Sequence, residues 1–236
     1  MRNLLIAIDG PAGAGKTTVS RALARRLGYT YVDTGALYRA VAVAATDRGV
    51  SPEDDAALAE LCPKLDIRFV RRDGEDRLHL DGTDVSDRIR TPEITMASSR
   101  VSARPPVRAF LLEVQRRMAR AGGVVFEGRD MGTVVFPEAD AKFFLTADLD
   151  TRASRRFEQF QDRSAQDREA VREDMRRRDA NDEGRALAPL KPAQDAVSID
   201  TSALSVDEIV ERMMERIRRK FGSPGRTDGN FSENRF

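Results

Sequence analysis

Short apolar runs without polar alternation recur along this chain, and stretches with helical spacing separate them. The runs are "LLIAI" (4–8), "YTYVD" (29–33), "VVFEG" (124–128), "KFFLT" (142–146) and "AVSID" (196–200). Continuous runs of this length fit strands buried on both faces. Between them, "KTTVSRALARRL" repeats apolar residues at Val19, Leu23 and Leu27. "RPPVRAFLLEVQRRM" predicts a helix from near Pro106 that buries Val107, Phe110, Leu111, Val114 and Met118. A last helix is expected from near Ser205, through Ile209, Met213 and Ile217, to a stop at Gly222. Strands alternating with helices predict a three-layer α/β core around a five-stranded parallel sheet.

One segment breaks that rhythm. "LDIRFVRRDGEDRLHLDGTDV" (65–85) reads as short strands joined by the turn-forming "RDGED". The expected organisation is a core of 1–63 and 93–221 carrying a small antiparallel insert at 64–92. The stretch 222–236 lacks periodicity and is expected to be a disordered tail.

A length of 236 residues suits one large domain, or one domain with a small insert. Lys plus Arg number 40 against 39 Asp plus Glu, and a net charge of +1 argues against a general nucleic-acid binder. Cys62 is the sole cysteine, so no intramolecular disulfide is possible and a reducing compartment is expected. The apolar part of "RNLLIAIDG" is too short for a signal-peptide core or a membrane span. A soluble cytoplasmic protein with no membrane partner follows as the expectation. His79 falls in the antiparallel insert and, like Cys62, reads as structural rather than catalytic.

"DGPAGAGKTT" (9–18) fits G-x-x-x-x-G-K-[ST] through Gly10, Gly15, Lys16 and Thr17. It stands between a strand and a helix, the context of a phosphate-binding loop. Consecutive backbone N–H groups and a helix N-terminus make such a loop an anion cradle. Lys16 would reach the β- and γ-phosphates, and the Thr17 hydroxyl would ligate Mg²⁺. The motif identifies a bound nucleotide but not the reaction.

The acceptor is sought elsewhere. In "DTGALYR" (33–39), Asp33 or Thr34 can cap a helix whose early turns carry Arg39. A cation near a helix N-terminus opposes the macrodipole, so Arg39 is either a solvated side chain or half of an anion site. Arg108 repeats that placement beside a buried face. "VVFEGRDMG" ends a strand in Glu127-Gly128-Arg129-Asp130, where open parallel sheets bind ligands. In "REAVREDMRRRDANDEGRALAPL", Val171, Met175, Arg178, Asp182 and Arg185 fall within roughly 80° of one another on a helix. Gly184 could end that helix before Arg185, and Arg176 and Arg177 lie off the stripe. Arg39, Arg129, Arg178 and Arg185 exceed the needs of one triphosphate, so a second phosphate is the economical reading. A phosphate acceptor is already ionised and needs no strong general base. The basic runs "RRR" (176–178) and "RIRRK" (216–220) leave a nucleic-acid-dependent ATPase or a nucleotide switch as the rival.

"IDGPAGAGKTT", "DTGALYR", "EGRDMGTVVFP", "RRRDANDEGRALAPL" and "LDIRFV…IRTPE" together closely resemble bacterial cytidylate kinases, from about Leu4 to Phe221. The resemblance implies the nucleoside-monophosphate-kinase fold, with a monophosphate-binding insert and a helical lid at about 152–168. It implies transfer of the ATP γ-phosphate to CMP or dCMP with Mg²⁺, by a monomer. Gly10, Pro11, Ala12, Gly13, Ala14, Gly15, Lys16, Thr17 and Thr18 would hold ATP, with Thr17 on the metal. Arg39, Arg129, Arg178 and Arg185 would serve the acceptor phosphate and the group in transfer, the last three with Lys16 as catalytic residues. Ser99, Arg108 and Asp130 match cytosine-reading positions, Asp182 a sugar contact, and Thr34 a position near the nucleotide. A kinase for UMP or another small acceptor is the rival within this class.

Overall fold

A computed structural model describes residues 3–72, 75–160, 168–185 and 187–222, apart from the side chains of residues 71, 72, 75, 159, 160 and 178. In chain order the elements are β1 (Leu5–Asp9), α1 (Lys16–Leu27), β2 (Thr30–Asp33), α2 (Thr34–Asp47), α3 (Asp55–Leu61), β3 (Ile67–Arg72), β4 (Glu75–Leu80) and β5 (Thr83–Asp84). They continue with α4 (Pro92–Val101), α5 (Pro105–Ala119), β6 (Val124–Glu127), β7 (Ala141–Thr146), α6 (Leu149–Phe160), α7 (Arg168–Glu183), β8 (Val197–Asp200) and α8 (Val206–Phe221).

Two compact units emerge among these residues. One runs up to Val32 and resumes at Ala121, and the other is Asp33–Arg120. The first unit is built on a parallel five-stranded sheet ordered β2-β6-β1-β7-β8. β1 is central, with Ile8 opposite both Glu127 of β6 and Phe143 of β7. All four side chains of β6 and the first five of β7 are buried, as the unalternating apolar runs require. Leu4, Ile6 and Ile8 share a core with Val19, Leu23 and Leu27 of α1 and Ile209, Met213 and Ile217 of α8. Ser205 and Glu208 close a reciprocal capping box at the start of α8, and Gly222 follows its end. The expected final helix is therefore found. Residues 223–236 of the expected tail lie outside the described residues, as do 161–167 of the expected lid.

The second unit holds α2 to α5 and a separate antiparallel sheet ordered β3-β4-β5. Ile67 faces Leu80 and Phe69 faces Leu78 across β3 and β4, while Arg77 on β4 pairs with Asp84 and Asp87 at the surface. The antiparallel strands expected between 64 and 92 are thus present. α5 starts at Pro105, one residue earlier than its pattern suggested. Phe110 is only half-buried, whereas Gln115 on the same helix is buried. α3 and α4 drew no expectation, although Asp54 caps the one and Thr91, followed by Pro92, caps the other. Cys62 is buried, and burial pushes its thiol up to about 11. Among the described residues no helix is long and apolar enough to cross a membrane.

Candidate active site

The first unit gathers its chemistry at the carboxyl ends of β1 and β6. The chain leaves β1 at Asp9 and enters α1 at Lys16, so residues 10–15 form a loop ending on a helix N-terminus. Gly10 has φ +148°, and a Cβ there would lie 2.1 Å from the Leu145 carbonyl oxygen. Only glycine lets the loop pass so close to β7.

Lys16 is buried, and its ammonium donates to the Pro11 carbonyl at 2.7 Å. Burial, reinforced by the Arg129 guanidinium, pushes this group down to about 7 against the pull of Glu127, Asp9 and Asp182. Thr17 donates its hydroxyl to Glu127 Oε1 at 2.8 Å, and the Tyr31 hydroxyl donates to Glu127 Oε2 at 2.5 Å. A hydroxyl and a carboxylate side by side are hard oxygen donors and fit a small divalent cation. Among the described residues no group of three or more His, Cys, Asp or Glu could hold an ion without further ligands.

Past β6, Arg129 Nε binds Asp182 Oδ2 at 3.0 Å, and Arg185 binds Asp182 Oδ1 at 2.8 Å. One buried carboxylate at the end of α7 thus holds two guanidinium groups. α7 stops at Glu183, so Arg185 leaves the helix angle, as Gly184 suggested it would, yet stays beside Asp182. Val171 and Met175 are buried and continue into Asp182 along the expected stripe. The side chain of Arg178, expected on the same stripe, lies outside the described residues. Arg176 and Arg177 are exposed and pair with Glu173 and Asp174. Asp130 is buried next to Arg129.

Several supports carried no local sequence signal. Asp9 accepts from the N–H groups of Met131 and Gly132 at 2.9 and 2.8 Å, and burial pushes its carboxyl up to about 6. Arg152 of α6 donates to the Ala12 carbonyl at 3.2 Å and to Asp179 at 2.6 Å. Thr201 donates to the Ala14 carbonyl at 3.1 Å and accepts from Arg155 at 3.1 Å. Two carbonyls of the phosphate loop are therefore held by side chains from α6 and from just beyond β8.

In the second unit, Asp33 caps α2 by accepting from Ala36 N at 3.1 Å, and Thr34 is buried in the first turn. The misplaced cation of the sequence has a protein counterion: Arg39 binds Asp33 Oδ2 at 2.8 Å. Among the described residues its buried Nε has no hydrogen-bond partner. Such a donor fits an additional anion. Arg108 donates to the Ser102 carbonyl at 3.3 Å and lies 5.9 Å from the Tyr38 ring centre. Ser99 is exposed on α4, and its carbonyl accepts from Ser102 at 2.9 Å.

Comparison with known proteins agrees in kind. A family model described as "Cytidylate kinase" matches residues 6–219. A cytidylate kinase from Geobacter sulfurreducens is 49% identical over 229 residues, covering 95% of this chain and 97% of the relative. Another from Syntrophotalea carbinolica is 49% identical over 220 residues, covering 93% and 94%. Among solved structures, TT1252 from Thermus thermophilus is 23% identical with a TM-score of 0.46, covering 94% of this chain and 99% of its own.

Proposed function

The chain belongs to the cytidylate kinase family, and on that premise we propose that it transfers the γ-phosphate of ATP to CMP or dCMP. The observation that carries the mechanism is that Asp182 holds both Arg129 and Arg185, with Lys16 buried among Arg129, Glu127, Asp9 and Asp182. Cations grouped in this way suit crowded phosphates.

The loop from Gly10 to Thr18 binds the donor phosphates through backbone N–H groups and Lys16. A phosphate beside Lys16 supplies the counter-charge that burial and Arg129 otherwise deny it. Thr17 would hold Mg²⁺, with Glu127 offering a second hard oxygen. The bound metal would neutralise charge on the donor phosphates. An oxygen of the acceptor monophosphate bonds to the γ-phosphorus as the bond to the β–γ bridging oxygen breaks, releasing ADP. Arg129, Arg178 and Arg185 stabilise the charge spread over the transferring group, and Arg39 holds the acceptor phosphate. Asp182 keeps Arg129 and Arg185 aimed while meeting the sugar, and Thr34 lies near the same nucleotide. Ser99, Arg108 and Asp130 read cytosine, whose amino group a carboxylate can accept. The strands at 64–92 serve the monophosphate, and the helices framing 152–168 act as the lid. A soluble, cytoplasmic monomer without nucleic-acid partners suffices for this chemistry.

ADP release from ATP and Mg²⁺, measured with CMP, dCMP, UMP, AMP and GMP in turn, tests the reading. Fast turnover with CMP and dCMP alone is expected. Preference for another acceptor would remove the cytosine assignment, and ATP hydrolysis indifferent to any acceptor would remove the kinase itself.

A further inference from the structure

The phosphate loop is referenced to the sheet near both of its ends. At the start, Gly10 passes against the Leu145 carbonyl of β7. Near the other end, the Ala14 carbonyl accepts from the Thr201 hydroxyl at 3.1 Å. Thr201 follows β8 directly and is 1% exposed. It continues the pairing with β7 by donating its N–H to the Thr146 carbonyl at 2.8 Å. Its hydroxyl also accepts from Arg155 Nη1 at 3.1 Å, and its carbonyl accepts from Arg155 Nη2 at 2.7 Å. A guanidinium can only donate. The Thr201 oxygen therefore meets Arg155 with a lone pair and turns its one proton to Ala14, so the line from Arg155 through Thr201 to Ala14 has a fixed direction.

We propose that Thr201 is a positioning residue for the donor nucleotide: its hydroxyl fixes the Ala14–Gly15 peptide and so aims the Gly15 N–H at the donor phosphates. The inference rests on the reading that residues 10–18 bind ATP. A peptide is planar and trans, and its N–H points opposite its carbonyl. Holding the Ala14 carbonyl toward Thr201 therefore turns the Gly15 N–H the other way. Gly15 has φ +83° and no side chain, so its own conformational limits do not orient that peptide. The orientation must come from a partner, and Thr201 is carried by the paired ends of β7 and β8. Polarity runs the same way as geometry. A hydroxyl that accepts from a cation is a stronger donor, and a carbonyl that accepts from it makes its peptide N–H a stronger donor in turn. An N–H so placed and polarised suits an anion whose position must be held closely for in-line transfer.

The test is KM for ATP against KM for CMP in Thr201→Val and Thr201→Ser, beside ATP binding to Lys16→Met by titration calorimetry. Thr201→Val is expected to raise KM for ATP about tenfold and to leave KM for CMP within about twofold. Thr201→Ser keeps the hydroxyl and should return KM for ATP to within about twofold of the wild type. An equal rise in both KM values, or a serine variant no better than the valine, would overturn the positioning role, since the hydroxyl would then only support the fold. Lys16→Met that binds ATP as the wild type does would remove the donor site from residues 10–18, and this inference with it. Weakened binding in Lys16→Met with an unchanged KM for ATP in Thr201→Val would overturn the positioning role alone. Should Thr201→Val not fold, Thr201→Ala removes the hydroxyl without setting a methyl against the Ala14 carbonyl, and the same selective rise is expected.

Discussion

In the five-stranded sheet the strand-end acids are buried, with Glu127 held by two hydroxyls and Asp9 by two backbone amides. In the three-stranded sheet, the acids stand at the surface and pair with arginines, Asp84 with Arg77 and Asp66 with Arg68. The same side chain is driven in opposite directions. Burial pushes Asp9 up to about 6, whereas the Ser86 hydroxyl and N–H, then Arg77, hold Asp84 well below the usual carboxylate range. The Arg68 hydrogen bond likewise lowers Asp66. An acid in the small sheet favours the folded chain. An acid at the end of the large sheet opposes it, and its presence there reflects the chemistry at that end.

That contrast breaks most visibly if the charges of the large sheet prove expendable. Arg129→Ala should lower turnover at least about a hundredfold while the chain stays folded, as circular dichroism beside the ADP-release assay will show. Wild-type turnover in a folded variant would remove Arg129 from the reaction. Next in size is the pH dependence of stability for Asp9→Asn. Between about pH 4 and pH 6 the folded wild type binds a proton that the unfolded chain has already released. Stability therefore falls as pH rises through that window, by about 2–3 kcal/mol in total. Asp9→Asn should flatten that fall in urea titrations at a series of pH values, and an unchanged slope would mean that Asp9 carries no such burden.

A smaller effect is expected at Gln115 in the second unit, which is buried with neither amide atom hydrogen-bonded among the described residues. Gln115→Leu should raise stability by about 1 kcal/mol, since the unsatisfied amide is replaced by apolar surface of similar reach. A loss of that size in the same denaturation experiment would instead reveal a bonded amide. Smallest of all, Arg77→Ala should leave the melting temperature within about 2 °C, because its ion pairs with Asp84 and Asp87 stand in water. A larger drop would mean that the small sheet depends on its charges as the large one does.

The legibility of the chain follows the same division. Strands buried on both faces announce themselves as apolar runs, which is why β1, β6 and β7 were readable to within a residue or so. The phosphate loop was readable because its glycines are required by local geometry, as at Gly10 beside Leu145. The stripe through Val171, Met175 and Asp182 was readable because a helix repeats its face at fixed intervals. Asp9, Arg152 and Thr201 were not. Each bonds a backbone group more than a hundred residues away, and nothing beside it in the sequence marks that partner. Arg39 was half-readable: its odd placement called for an anion, and Asp33, the helix cap, supplies one. α3 and α4 were missed although Asp54 and Thr91 are ordinary cap residues; each is short and buries only two or three apolar side chains, Leu58 and Leu61 in α3 and Ile94, Ala97 and Val101 in α4.

The burial of Cys62 has a practical side. With the only thiol of the chain sequestered and pushed up to about 11, maleimide chemistry near neutrality would bypass it. A cysteine introduced at an exposed position such as Glu158 on α6 would then carry a fluorophore or spin label alone. The native chain is thus a ready background for single-site spectroscopy, with no cysteine to be engineered away first.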